Sequence, residues 1–320
     1  MITSIPSPDR AVWYLGPLPL RAYAFAIIIG VLIAWKIGER RYARKGGDPE
    51  VVTDAAGWMV LFAIIGARLY HVFTTPEPYF GPNGDLLQIL RVWEGGLGIW
   101  GGVLGGVVGA WIALKRRGLR LGPFADAAAP GVLAAQAVGR LGNYFNQELY
   151  GRPTDLPWAL EIDPEHLVAG YPEGTTFHPT FLYEMICSII GVFLLLFLER
   201  RFRLRAGQTF WAYVAIYTAA RLWIENLRID TAHTIAGLRL NVWTSIIVFT
   251  LALVMLYLRG KKVAADPTVD SIALPDPQSG PDSPNSSDTL DKEEAASERS
   301  AGQHPPQRPS SAASPDVPGA

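Results

Sequence analysis

Apolar residues run along this chain in long blocks separated by short charged or turn-rich stretches. Blocks of roughly 17 to 25 residues match the thickness of a bilayer, and a helix is the element that keeps its own backbone hydrogen-bonded in hydrocarbon. The pattern predicts seven helices, over Leu20 to Ile37, Ala55 to Phe73, Leu97 to Leu114, Phe124 to Gly142, Thr180 to Leu198, Phe210 to Glu225 and Val242 to Leu258. The expected fold class is therefore all-α, a polytopic integral membrane protein with seven transmembrane helices.

Charge orients the blocks. Arg40, Arg41, Arg44 and Lys45 follow the first block, Lys115, Arg116, Arg117 and Arg120 the third, Arg200, Arg201, Arg203 and Arg205 the fifth, and Arg259, Lys261 and Lys262 the seventh. Lysine and arginine gather in cytoplasmic loops. The expected topology has the N-terminus outside and the C-terminus in the cytoplasm, with loops Thr74 to Gly96, Asn143 to Pro179 and Asn226 to Asn241 facing outward. Beyond Lys262 the chain turns to Pro, Ser, Asp, Glu and Gly, too few apolar residues to bury a core. Residues 1–262 are expected to form the membrane domain and 263–320 a disordered cytoplasmic tail.

Composition agrees with a membrane protein: 49% of 320 residues are hydrophobic, with 10 tryptophans, and mean hydropathy is +0.18. The net charge of −1 conceals basic loops and an acidic tail, and so identifies no partner. The single cysteine, Cys187, excludes an intrachain disulfide and lies in an apolar run, where it reads as a small buried hydrophobe. Pro6, Pro8 and Asp9 stand where a cleavable signal would be positively charged, so the first block is expected to stay as a span.

Against that apolar background, polar residues cluster at the expected outer ends of the blocks. Arg140, Asn143, Asn146 and Glu148 close the fourth; His178, Tyr183 and Glu184 open the fifth; Tyr23 starts the first. Tyr217, Arg221, Glu225 and Arg228 are spaced to make one helical stripe ending on the same side. Each has a plain structural reading as a capping, snorkelling or locally paired residue. Their meeting on one face points to a site. Two arginines from different helices at headgroup depth suit an anionic ligand, a phospholipid above all, because guanidinium is always charged and binds phosphate with a rigid fork of donors. In the glycine run from Gly95 to Gly109, the spacings Gly98, Gly102, Gly106 and Gly101, Gly105, Gly109 predict close helix packing. A phosphate loop would need a preceding strand and a following lysine, and both are missing.

The segment GRLGNYFNQELYG, residues 139–151, resembles the signature of the bacterial prolipoprotein diacylglyceryl transferase family through Arg140, Gly142, Asn143, Asn146, Glu148 and Gly151. HPTFLYE (178–184), RLWIENLR (221–228), GARLYHVF (66–73) and VWEGGLGIWGG (92–102) extend the resemblance over roughly the first 260 residues. It implies an enzyme of the bacterial cytoplasmic (inner) membrane, acting on its extracytoplasmic side. Such an enzyme moves the diacylglyceryl group of phosphatidylglycerol to the lipobox cysteine thiol of a prolipoprotein, making a thioether and releasing glycerol 1-phosphate. Its implied partners are phosphatidylglycerol, prolipoprotein signal peptides with a lipobox cysteine, and membrane lipids; no nucleic acid, metal or cofactor is expected.

The resemblance implies that Arg140 holds the headgroup and Arg221 assists the leaving phosphate, with Asn143, Asn146, Gly151, Tyr217, Arg228 and His178 in the binding region. The substrate supplies the thiol, whose pKa of about 8.5 calls for a base or a positive field. Many family members carry a histidine in the glycine motif where this chain has Trp100, which leaves Glu148, Glu225, Tyr23, His178 or the arginine field itself. A transporter of an anionic lipid or metabolite is the rival reading, although it would place its charges nearer the midplane. A CDP-alcohol phosphatidyltransferase would need an aspartate constellation that Asp54, Gly66, Ala67 and Arg68 do not reproduce.

Overall fold

Among the described residues, seven long helices form where the apolar blocks predict helices: α1 (Ala22–Arg44), α2 (Glu50–Thr74), α4 (Ile99–Arg116), α5 (Leu121–Phe145), α6 (Thr180–Phe202), α7 (Gln208–Leu227) and α8 (Leu240–Ala265), with one short helix, α3 (Glu77–Phe80), after α2. The computed structural model describes residues 4–81, 84–232, 234–265 and 270–274. Among the described residues, four helices are long and apolar enough to cross a membrane: Ala22–Arg44, Glu50–Thr74, Thr180–Phe202 and Leu240–Lys262. The other three fall outside that group: α4 ends on Lys115 and Arg116, α5 is rich in alanine and glycine, and α7 carries Arg221 and Glu225.

Helix α1 continues seven residues past the expected end of its block. Its last turn holds Arg41 and Arg44, cations that suit the negative end of the helix dipole. The architecture is also not purely helical. Strands β1 (Val12–Leu15) and β2 (Leu18–Arg21) pair antiparallel just before α1, and β3 (Thr234–Ile235) and β4 (Leu238–Arg239) just before α8. Ala236 and Gly237 between β3 and β4 both have positive φ, the backbone that a tight hairpin of that twist requires. These turns are too short to show in a hydropathy pattern.

Both glycine stripes of α4 meet α2, the Gly101, Gly105, Gly109 stripe backbone to backbone, and the other most closely at Gly98, where a Cβ would enter the ring of Tyr70. A Cβ on Gly101, Gly105 or Gly109 would overlap the backbone carbonyls of Gly66, Phe62 and Trp58, whereas on Gly102 it would meet Ala67 Cβ at an ordinary 3.5 Å. Helix α1 lies along α5, α5 along α6, and α7 along α8.

The basic segments gather at one end of the bundle. Arg41 Nη2 lies 2.6 Å from Glu199 Oε2, and Tyr42, Val52, Leu114 and Phe124 share a core beside them. Asp126 accepts from the amides of Gly207 (2.6 Å) and Phe210 (2.8 Å), capping α7 from another helix. Gln208 Nε2 donates to the Leu256 carbonyl at 3.0 Å, bringing the end of α8 there as well. Of the segment expected to be a disordered tail, residues 263–265 continue α8, and the backbone of Ile272 and Leu274 bonds to Arg120 and Gly118 at 2.8 and 2.7 Å; the remainder lies outside the described residues.

At the opposite end, the connection between α5 and α6 folds into a cap. Tyr150, Leu160, Ile162, Phe177 and Phe181 form its core, and isolated bridges join Leu160 to Ile5 and to Phe177, and Gly151 to Arg228. Tyr150 Oη donates to His166 O (2.8 Å) and accepts from Val168 N (2.7 Å).

Candidate functional site

The cap brings the end of α5 against the starts of α1, α6 and α8 and the end of α7. The turn after α5 is strained: Gln147 (φ 50°) and Leu149 (φ 61°) both have left-handed backbone, a conformation costing on the order of 1–3 kcal/mol at a non-glycine residue. Two anchors hold it. Gln147 Nε2 donates to Asp163 Oδ2 at 2.5 Å while its Oε1 accepts from Asp163 N at 2.8 Å, and Thr180 Oγ1 on α6 donates to the Leu149 carbonyl. Between the strained residues stands Glu148, exposed to solvent.

Glu148 Oε1 accepts from Asn143 Nδ2 at 2.8 Å and from Asn146 Nδ2 at 3.3 Å. Asn143 Oδ1 in turn accepts from Arg140 Nη1 at 3.1 Å. Asn143 thus binds the carboxylate to the arginine through its amide dipole, and Asn146 adds a second donor to Glu148 rather than merely ending the helix. Gly142 faces α1 so closely that a Cβ would enter the ring of Tyr23, and a Cβ on Gly151 would meet His178 Cβ at 2.8 Å and the Leu227 carbonyl at 3.1 Å. Both glycines are places where chains touch.

From Arg140 the network crosses helices. Arg140 Nη2 pairs with Glu184 Oε2 on α6, and Glu184 Oε1 lies 2.8 Å from Arg221 Nη1 on α7. Arg221 Nη2 stands 2.8 Å from Glu225 Oε2, one turn along the same helix. That oxygen has no aligned hydrogen bond, so the attraction there is electrostatic. Glu225 is 0% exposed; its Oε1 accepts from Arg239 Nε (2.8 Å) and Asn241 Nδ2 (3.1 Å). Arg239 Nη2 then reaches Asp230 Oδ2 at 3.0 Å, and Arg228 Nε reaches Asp230 Oδ1 at 2.7 Å. Burial raises the Asp230 pKa, but the hydrogen bond from Arg228 and the charges of Arg228 and Arg239 outweigh it, and the carboxyl is held below its usual range. Four guanidiniums alternate with four carboxylates, from Glu148 to Arg228. Buried charges persist only when each is paired in this way.

Of the residues singled out from the sequence, Arg140, Asn143, Asn146, Glu148, Arg221 and Glu225 fall in this network. Arg228 joins it by another route: α7 ends at Leu227, and Arg228 has extended backbone (φ −72°, ψ 146°) instead of continuing the helical stripe, because it bridges Gly151. Tyr217 lies one turn deeper than Arg221, lining with Glu184, Cys187 and Ser188 a narrow cavity of about 10 Å³, roughly the room one water needs. His178 stands aside. Its Nδ1 is 3.0 Å from Tyr183 Oη, which accepts from Trp158 Nε1 at 3.0 Å, and its carbonyl accepts from Gly151 N.

Sequence reasoning marks Glu184 only as a charge opening a block, and does not mark Arg239. A signal existed for Arg239: it lies in a loop expected to face outward, where basic residues are scarce.

A profile of the family described as "Prolipoprotein diacylglyceryl transferase" matches residues 10–258. The chain is 52% identical over 266 residues to the phosphatidylglycerol–prolipoprotein diacylglyceryl transferase of Frankia alni, covering 83% of this chain and 70% of that protein. It is 56% identical over 245 residues to the second such transferase of Streptomyces coelicolor, covering 77% of each. With the protein of that name from Cutibacterium acnes it shares 50% identity over 253 residues, covering 79% of this chain and 86% of the relative.

Proposed function

The chain belongs to the prolipoprotein diacylglyceryl transferase family and is a transferase, and we propose that it moves the diacylglyceryl group of phosphatidylglycerol to the thiol of a prolipoprotein's lipobox cysteine. The cysteine sulfur attacks the terminal glycerol carbon of the diacylglyceryl group. A carbon–sulfur bond forms as the carbon–oxygen bond to phosphate breaks, and the electron pair leaves on the phosphate oxygen. Glycerol 1-phosphate departs carrying a second ionisable oxygen with a pKa of about 6, and the thiol proton passes to the base or to solvent.

Negative charge therefore grows on the phosphate during the reaction. Donors aimed at it bind the transition state more strongly than the ground state, which accelerates the chemical step. Arg140 and Arg221 take this role, Arg140 on the headgroup phosphate and Arg221 on the departing oxygen. The single observation that carries the reading is that both guanidiniums, from α5 and α7, lie against one carboxylate, Glu184, and so within reach of one phosphate.

Glu148 is the better of the two carboxylate bases. It is exposed and linked to Arg140 through Asn143, whereas Glu225 is fully buried between Arg221, Arg239 and Asn241. Tyr23, against Gly142, Gly151 and the remaining polar groups shape the floor of the site.

The membrane reading has seven spans, the N-terminus outside, the C-terminus in the cytoplasm and the site on the extracytoplasmic side of the bacterial cytoplasmic membrane. Support comes from the gathering of the basic segments at the end of the bundle opposite the arginine pair. Residues 1–262 act as the catalytic domain, followed by a cytoplasmic tail.

Vesicles containing purified protein, glycerol-labelled phosphatidylglycerol and a lipobox peptide test the proposal. Thioether-linked lipopeptide and free glycerol phosphate are expected; label that crosses the bilayer unmodified would instead indicate a transporter.

A further inference from the structure

Two cations that must grip one phosphate repel each other, and the direct packing of α5 on α7 does not cancel that charge. Arg140 rises from α5 and Arg221 from α7; α6 packs against both. On one face of α6, Thr180 fixes the Leu149 carbonyl of the strained turn, and Glu184 follows one helical turn later. The two oxygens of Glu184 are divided, Oε2 to Arg140 and Oε1 to Arg221 at 2.8 Å. A carboxylate so placed cancels the repulsion and sets the distance between the guanidiniums.

Depth decides whether Glu184 competes with substrate or backs the arginines. Its side chain is 8% exposed, against 20% for Arg140 and 15% for Arg221, so the carboxylate lies beneath the groups it joins. An anion arriving from the membrane face meets the arginines first. Each guanidinium carries five N–H donors, and the protein engages two nitrogens of each: Asn143 and Glu184 take those of Arg140, Glu184 and Glu225 those of Arg221. Donors remain for a phosphate while Glu184 stays in place.

We propose that Glu184 is a positioning residue for the transfer, holding Arg140 and Arg221 at the spacing one phosphate needs. The inference rests on the reading of those arginines as the phosphate ligands. Glu184→Gln keeps the shape but loses the charge and puts an N–H where one guanidinium donates. The arginines still attract an anionic lipid but no longer track the charge as it moves to the leaving oxygen. The loss belongs in kcat, with KM for phosphatidylglycerol little changed. Misplacement on the scale of an ångström costs about 100-fold. Glu184→Asp keeps the charge, is one methylene shorter and reaches one guanidinium, so its rate falls between the two.

The test measures kcat and KM with the full-length protein, phosphatidylglycerol vesicles and a lipobox peptide, for Glu184→Gln, Glu184→Asp, Arg140→Ala and the double variant Glu184→Gln/Arg140→Ala. Thermal unfolding in detergent checks that each is folded; should the Gln variant fail, the cycle runs with Asp. A residue that acts through Arg140 gives a double variant much less impaired than the product of the two single losses. Wild-type kcat in Glu184→Gln, or losses that simply multiply, overturns the inference while an impaired Arg140→Ala leaves the functional reading standing. Wild-type transfer by Arg140→Ala removes that reading, and this inference with it.

Discussion

Arg140 and Arg221 belong to helices that both pack on α6, and each takes one oxygen of the same carboxylate. Arginines on helices that were merely adjacent would snorkel separately toward the headgroups. Here they are part-buried and joined through Glu184, the arrangement the proposed phosphate clamp requires.

Removing either guanidinium should be severe. Arg140→Ala and Arg221→Ala are each expected to lower kcat/KM for diacylglyceryl transfer by about 100- to 1,000-fold, the usual cost of losing one donor to developing charge. Lysine should restore little, since it offers a point charge rather than a planar fork. Transfer of labelled lipid to a lipobox peptide gives the numbers.

Neighbouring glycines of α4 should respond unequally to small substitutions. Gly105→Ala drives a Cβ into the Phe62 carbonyl, while Gly102→Ala makes an ordinary 3.5 Å contact with Ala67. The first is expected to destabilise the protein by about 1–3 kcal/mol, as overpacking does, and the second to be nearly neutral. Thermal unfolding in detergent separates them.

At the other glycine contact, Gly142→Ala pushes the Tyr23 ring away from the end of α5. Because Asn143 follows directly and joins Arg140 to Glu148, activity should fall more than stability. Transfer rates set beside unfolding temperatures give the comparison.

Acid should loosen the β3–β4 hairpin, which Arg239 ties to Asp230, before it unfolds the bundle. The Asp230 carboxyl is held below its usual range once the arginines overcome burial. A depressed carboxylate contributes stability that is complete above the unfolded value of about 3.9 and is lost as pH falls through the folded one. The hydrogen-exchange protection factors of residues 234–239 should therefore fall below about pH 4 in wild type. In Asp230→Asn protection should already be low at neutral pH and should lack this step.

Much of the helical layout is legible in the sequence because a bilayer imposes its own length on apolar blocks. What continues beyond the apolar blocks is not. The extra turns of α1 to Arg44 and the end of α7 at Leu227 depend on caps and contacts rather than hydropathy. For the site, Arg140, Asn143 and Arg221 announce themselves as polar groups at block ends. Glu184 looks like one more such charge until the helices are assembled, and Arg239 acquires its meaning only when the hairpin sets it on Glu225 and Asp230. Pairing between distant segments carries no local pattern. The same limit hid which glycines of α4 meet the α2 backbone most closely, since both stripes have the spacing and only the fold sets the distances.

The shared phosphate is tested most directly by a structure with a phosphatidylglycerol phosphonate whose departing oxygen is replaced by CH2, so that the bond cannot break. The account predicts phosphonate oxygens about 2.7–2.9 Å from nitrogens of both Arg140 and Arg221, with Glu184 still beneath them. A phosphonate held by one arginine alone, or at the end of the bundle where Arg41 and Glu199 pair, would contradict it.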